Sequence, residues 1–117
     1  MNVTPDIIKQ ETWDKVINYI AVSDETPPYL LMDKEAVREK VSLIGRNIKN
    51  SKVFYAVKAN PDVEVLRLLN SLGTGFEIAS EGELQILADI GVEPERIITS
   101  NPMKTFKFLE HAVSYGV

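Results

Sequence analysis

The feature that most constrains this chain is a unit repeated through its second half. Each unit is a short β-prone run, a turn, a helix-periodic stretch and a closing glycine. Gly73, Gly91 and Gly116 each stand just past a run of helical periodicity, where a residue in the left-handed conformation commonly ends a helix. Val53 to Val57 is β-branched and aromatic, and apolar at consecutive positions, which describes a strand buried on both faces, as in a parallel sheet. Gly75 to Ala79 and Arg96 to Thr99 are the next two strands. Asn60-Pro61-Asp62 opens a helix with Val65, Leu66, Leu69 and Leu72 as its apolar face. Ser80-Glu81-Gly82-Glu83 is a capping box ahead of Leu84, Leu87 and Ala88. Residues 105–115 form a third helix with Leu109, Ala112 and Val113 inward. Strands alternating with helices over short loops are parallel and joined by right-handed crossovers. The fold class is therefore α/β, either a doubly wound sheet or a (β/α)8 barrel.

Upstream of these units, Thr4-Pro5-Asp6 reads as a helix start: a capping hydroxyl, a proline at the first helical position and an acid at the positive end of the dipole. Trp13, Val16, Ile17 and Ile20 follow at helical spacing, and the helix ends before Ser23-Asp24-Glu25. Pro27 and Pro28 cannot lie inside a helix, and Tyr29 to Met32 reads as a short strand. Asp33 is an N-cap for a second helix with Val37, Val41, Ile44 and Ile48 in one stripe, closed by Asn50-Ser51. The expected organisation is an N-terminal helix and linker over residues 1–25 and a partial barrel domain over 26–117. Three βα units do not close a barrel of about 250 residues, and Val117 falls where another strand is due. The expectation is the N-terminal portion of a larger fold.

Composition narrows the functional classes. Of 117 residues, 44% are hydrophobic and 26% charged, a globular balance. The net charge of −4 and the absence of a basic segment argue against nucleic-acid binding. Without cysteine there are no disulfides, thiolate metal sites or thiol nucleophiles, and a single histidine excludes a His-rich metal site. The longest apolar run is five residues, far short of the roughly 20 a membrane helix needs. The first residues lack a signal-peptide pattern, so a soluble, cytoplasmic protein without membrane partners is expected.

Two residues are candidates for chemistry. Lys58 ends the first predicted strand, and catalytic groups of parallel α/β folds sit at the C-terminal ends of strands. Strand alternation would put Lys58 on the face of Phe54 and Ala56, its stem leaving an apolar layer. Partial burial disfavours an ammonium and favours the neutral amine that attacks carbonyls; the competing reading is a lysine snorkelling into water. Glu77 lies mid-strand among apolar neighbours and needs a partner, such as a lysine on a neighbouring strand; it is equally readable as half of a structural ion pair or as a sheet-edge acid. Glu83 is accounted for by the Ser80 capping box, and His111 by a helix surface. Gly73-Thr74-Gly75 lacks the lysine and glycine frame of a phosphate loop.

Three blocks in order also resemble a known family. Phe54-Tyr55-Ala56-Val57-Lys58-Ala59-Asn60-Pro61 resembles the cofactor-lysine motif of the pyridoxal-phosphate-dependent decarboxylases with the alanine-racemase-like barrel, a family acting on ornithine, diaminopimelate, arginine, lysine and carboxynorspermidine. Gly73 to Ser80 followed by Glu83 is similar to the second block. Gly91 to Ile98 followed by Ser100-Asn101-Pro102-Met103-Lys104 is similar to the third and leans toward the ornithine branch. The Thr26 to Leu30 run and the helix after it fit the start of that barrel, so the resemblance covers residues 26–117. It implies a (β/α)8 TIM barrel of which these are about three units. It implies Lys58 as the catalytic, covalent anchor of pyridoxal phosphate, and Glu77 as an acidic cofactor-binding position where aspartate is more usual. It implies an amino-acid substrate, ornithine giving putrescine in polyamine biosynthesis, and a homodimer. The family's phosphate loop, pyridine-nitrogen glutamate, ring-stacking histidine and partner-subunit cysteine would lie beyond position 117, so the chain alone is expected to be inactive and to bind the cofactor weakly. The alternative is a non-catalytic, decarboxylase-like regulator that binds a partner; a racemase-like or carrier-type barrel fits the third block less well.

Overall fold

The computed structural model describes residues 8–26 and 28–117; the start signal at Thr4-Pro5-Asp6 lies outside them. The chain divides into two compact units, Met1–Asp33 and Lys34–Val117.

In the first unit, helix α1 spans Gln10–Val22 and begins after Lys9, which gives it no side-chain cap. An i,i+4 Gln10–Asp14 hydrogen bond and a Lys15–Glu11 ion pair run along it. None of its residues is buried, and Ile17 and Ile20 of the expected apolar stripe are exposed. Tyr19 meets Tyr29 edge-to-face at 6.2 Å, and the Thr12 hydroxyl donates to Asp33 at 2.6 Å. The strand expected over Tyr29 to Met32 does not form. A strand exists through its ladder, and none of the described strands pairs with this run, whose Leu30 is 83% exposed.

The second unit opens with α2, Lys34–Asn47, directly after Asp33. Asn50 closes it with a φ of 56°, a conformation asparagine tolerates better than most residues. Val37 and Val41 of its stripe pack on the core, whereas Ile44 and Ile48 remain exposed. Strands β1 (Phe54–Ala56), β2 (Gly75–Glu77) and β3 (Ile97–Ile98) form one parallel sheet in the order β1-β2-β3. Helices α3 (Val63–Ser71), α4 (Glu81–Asp89) and α5 (Phe106–Tyr115) alternate with them as the spacing requires.

Local signals account for the helix limits. The Asp62 carboxylate accepts from the Glu64 and Val65 amides at the start of α3. Ser80 accepts from the Glu83 amide while the Glu83 carboxylate accepts from the Ala79 amide at 2.6 Å, so Glu83 is committed to capping. Thr105 caps α5. Gly73, Gly91 and Gly116 take φ of 77°, 72° and 101°, which side-chain-bearing residues rarely adopt.

The sheet has two unlike faces. Register places Tyr55 beside Phe76 and Phe76 beside Ile97. These three face the core with Leu66, Leu69, Leu84, Leu87, Val92 and Phe108. Each fully buried side chain of this size contributes about 1.5–3 kcal/mol. Alternation turns Phe54, Ala56, Gly75, Glu77 and Ile98 to the opposite face. That face lacks a second layer among the described residues, so β1 is half-buried rather than buried on both sides. Helix α5 corrects a second expectation: Phe108 and Ala112 are inward, while Leu109 and Val113 point out. The two stripes lie one residue apart, and the larger aromatic takes the core side. The Tyr115 hydroxyl, two turns past Phe108 on the same stripe, fixes the choice by donating to Val92 O at 2.8 Å.

Candidate active site

At the C-terminal ends of the strands the chain makes three different exits. After β1 it tightens into a 3-10 turn, Val57–Ala59, so Lys58 sits in a turn and not in the strand. The expectation of Lys58 as a strand residue on the Phe54 and Ala56 face does not hold, because the strand ends at Ala56; Val57 still joins Tyr55 on the core side, and Lys58 follows it in the turn. Lys58 is exposed rather than partly buried. Its amine takes no hydrogen bond or ion pair among the described residues.

The turn is tied at its far end. The Tyr55 hydroxyl donates to Asn60 O at 3.3 Å, and the Asn60 side chain accepts from the Asp62 amide at 3.0 Å. Burial raises the Tyr55 phenol above its ordinary 10.0, keeping it a donor. Lys58 thus lies inside a loop anchored by β1 before it and by the α3 cap after it.

Glu77 ends β2, its Cα paired with that of Ala56 on one side and Ile98 on the other. It is half-buried on the open face of the sheet. The partner expected on a neighbouring strand was a lysine; the structure supplies a hydroxyl, Ser100 Oγ donating to Glu77 Oε1 at 2.9 Å. The extra methylene of glutamate lets the carboxylate reach past β3 to that residue. Ser100 follows β3 and is held by Asn101, whose amide donates to Ala79 O at 3.3 Å and whose Oδ1 accepts from the Met103 amide. Lys104 donates to Asn101 O in the same loop.

Lys58, Glu77 and Ser100 therefore gather at one end of the sheet. His111 does not join them: it lies on α5 at 3.5 Å from Glu81, which also pairs with Lys107 at 3.1 Å. Gly73-Thr74-Gly75 lies at the other end, where Gly73 closes α3 and Gly75 starts β2. A concavity of about 500 Å³ at that other end is lined by Val41, Lys52, Val53, Phe54, Thr74 and Arg96, away from Lys58. Tyr55 and Ser100 went unassigned in the sequence. The only signal for them was position: one precedes the lysine by three, the other follows a strand by two.

Residues 34–117 match the pyridoxal binding domain of the pyridoxal-dependent decarboxylases. The chain belongs to that family. It is 52% identical over 93 residues to an ornithine decarboxylase of Schizosaccharomyces pombe, covering 80% of this chain and 22% of that protein. It is 31% identical over 115 residues to antizyme inhibitor 2 of Xenopus laevis, covering 98% of this chain and 25% of that one. The solved ornithine decarboxylase of Entamoeba histolytica superposes with a TM-score of 0.83 at 29% identity, over 93% of this chain and 33% of its own. The chain spans about a quarter of the length of the curated relatives it matches. Its three parallel βα units correspond to the N-terminal part of the decarboxylase barrel.

The family's cofactor is pyridoxal phosphate, whose aldehyde takes a primary amine. The residues present suit it: an exposed lysine at a strand end, its amine unengaged by any described side chain, with a carboxylate on the neighbouring strand.

Proposed function

We propose that this chain supplies the cofactor-anchoring segment of a pyridoxal-phosphate-dependent amino-acid decarboxylase acting on ornithine or a similar basic amino acid. The observation that carries the reading is the placement of Lys58: within the matched domain, in a turn at the C-terminal end of β1, its amine without a partner among the described residues. Lys58 is the covalent anchor and a catalytic residue. Glu77, one strand over and in register with Ala56, is the acid at the same end of the sheet. When bound, pyridoxal phosphate provides the electron sink for the pair left as an α-carboxylate departs. The chain's own task is to hold the Lys58 side chain at a fixed place and to accept the proton its ammonium gives up. The Tyr55–Asn60 tie performs the first part, since it spans the turn that carries Lys58. Glu77 is the candidate for the second, which its position at the same end of the sheet supports.

The product is a diamine, which makes the protein a step in polyamine biosynthesis. We place it in the cytoplasm, as a homodimer. Among the described residues no helix is long and apolar enough to cross a membrane.

The competing reading, a decarboxylase-like regulator that binds a partner protein, is favoured by one observation: the match to antizyme inhibitor 2 covers nearly the whole chain. One experiment separates the two. The protein produced from its own gene is incubated with pyridoxal phosphate, reduced with borohydride and mapped by peptide mass, and release of diamine from ornithine is measured in parallel. Near-stoichiometric modification at Lys58 with diamine release supports the enzyme. Modification spread over exposed lysines such as Lys15 and Lys49, with no amine released, supports the regulator.

A further inference from the structure

Glutamate is a flexible choice for a precise position. Its side chain has three rotatable bonds, and ordering it costs more than ordering a shorter acid. Glu77 stands at the end of β2, where the ladder fixes its Cα against Ala56 and Ile98. Nothing in that ladder fixes its carboxylate. One side chain does: Ser100 Oγ, 23 residues further along, donates to Oε1 at 2.9 Å. Oε2 has no partner among the described residues.

Ser100 is itself held from both sides. Two residues before it, Ile98 closes the ladder, with Ile78 N donating to Ile98 O at 2.9 Å. The next residue, Asn101, bridges to Ala79 O and turns the chain through the Met103 amide. The hydroxyl is thus presented from a braced loop, and a braced donor orients a flexible acceptor at little further entropic cost.

We propose that Ser100 is a positioning residue: it fixes the Glu77 carboxylate at the Lys58 end of the sheet so that the free oxygen, Oε2, serves the lysine. The inference rests on the reading of Lys58 as the cofactor anchor. Before its amine bonds to an aldehyde carbon, with water leaving, the Lys58 ammonium must release a proton. Glu77 Oε2 receives it. A carboxylate free to swing into solvent on the open face spends less time in that position, and the proton transfer slows. Ser100 acts through Glu77 and touches neither the cofactor nor the substrate.

The test is the rate of borohydride-trapped attachment of pyridoxal phosphate at Lys58, followed by peptide mass in the protein produced from its own gene. Ser100→Ala lowers that rate roughly threefold to tenfold, the size of one net hydrogen bond. Ser100→Thr, which keeps the hydroxyl, restores it. Glu77→Gln lowers it as well, and adding Ser100→Ala to Glu77→Gln lowers it no further, because the carboxylate the serine positions is gone. Ser100 is exposed, so its truncation leaves folding intact. An unchanged rate in Ser100→Ala, failure of Ser100→Thr to restore it, or additive losses in the double variant overturns the inference while leaving Lys58 as the anchor. A parent protein unmodified at Lys58 overturns the anchor assignment and this inference with it.

Discussion

The two ends of the three-stranded sheet are built on opposite principles. At the N-terminal end, groups are packed and backbone carbonyls are met, while Thr74 Oγ1, Asn70 Oδ1 and Arg96 Nε lie buried without a hydrogen-bond partner among the described residues. A Cβ on Gly75 would fall 2.5 Å from a ring carbon of Phe54, so only glycine fits there. Thr74 is 3% exposed. One Arg96 nitrogen donates to both Thr74 O and Asn70 O, at 2.6 and 3.1 Å, clamping the end of α3 to the start of β3. At the C-terminal end, side chains keep bonding capacity in reserve: among the described residues the Lys58 amine and Glu77 Oε2 have no partner, and the Ser100 hydroxyl is exposed. The first end closes backbone carbonyls that would otherwise go unmet. The second leaves polar side chains available at the strand ends where barrel chemistry collects.

This contrast can be broken or sharpened by substitution. The largest effect is expected at the reactive end. Lys58→Ala should abolish covalent trapping of pyridoxal phosphate and diamine release, while the urea midpoint moves by no more than about 0.5 kcal/mol equivalent. Arginine at this position should not rescue it, since a guanidinium stays protonated. A large stability loss would instead make Lys58 part of the scaffold.

Phe76→Ala should come next. It removes a fully buried ring between the sheet and its helices and should cost about 3–5 kcal/mol by urea denaturation. Arg96→Met should cost about 2 kcal/mol, because two carbonyls lose a charged donor. Trapping at Lys58 should proceed at the parent rate under conditions where the variant is folded. A trapping defect as large as that of Lys58→Ala would show that the two ends are not separable.

The smallest effect belongs to Tyr55, which touches both regimes: its ring packs on the core and its hydroxyl ties the Lys58 turn. Tyr55→Phe should cost about 0.5–1 kcal/mol. The folded state holds the phenol above its usual 10.0. The stability this represents is therefore complete below pH 10 and is lost as pH rises through the folded value. Tyr55→Phe should flatten that alkaline limb. An unchanged limb would mean that another group governs it.

Much of this was legible in the sequence where the signal is short-range. Asn60-Pro61-Asp62, Ser80 with Glu83, and the three glycines marked helix limits to within about two residues, although the cap of α3 is Asp62 and not Asn60, because a cap is a hydrogen bond spanning two to four residues. The position of Lys58 past the end of the first strand was legible too, because it closes an apolar, β-prone run. The choice between Phe108 and Leu109 was not legible, since two apolar stripes one residue apart have the same periodicity. The Tyr29 to Met32 run was misread for a related reason: apolar residues are necessary for a strand, but the ladder needs a neighbour.

The sequence by itself determined the order of strands and helices, their parallel sense, the caps that end them and the lysine at the end of β1. These depend on contacts between residues a few positions apart, and on a handedness rule that nearly all parallel βαβ crossovers obey. Only the tertiary structure decided that Lys58 sits in a turn instead of a strand, that Glu77 is met by Ser100 and not by a lysine, and that Arg96 clamps Asn70 and Thr74. Those pairs join residues 22 to 26 positions apart. Their geometry follows from strand register and loop closure, which single-residue preferences do not encode.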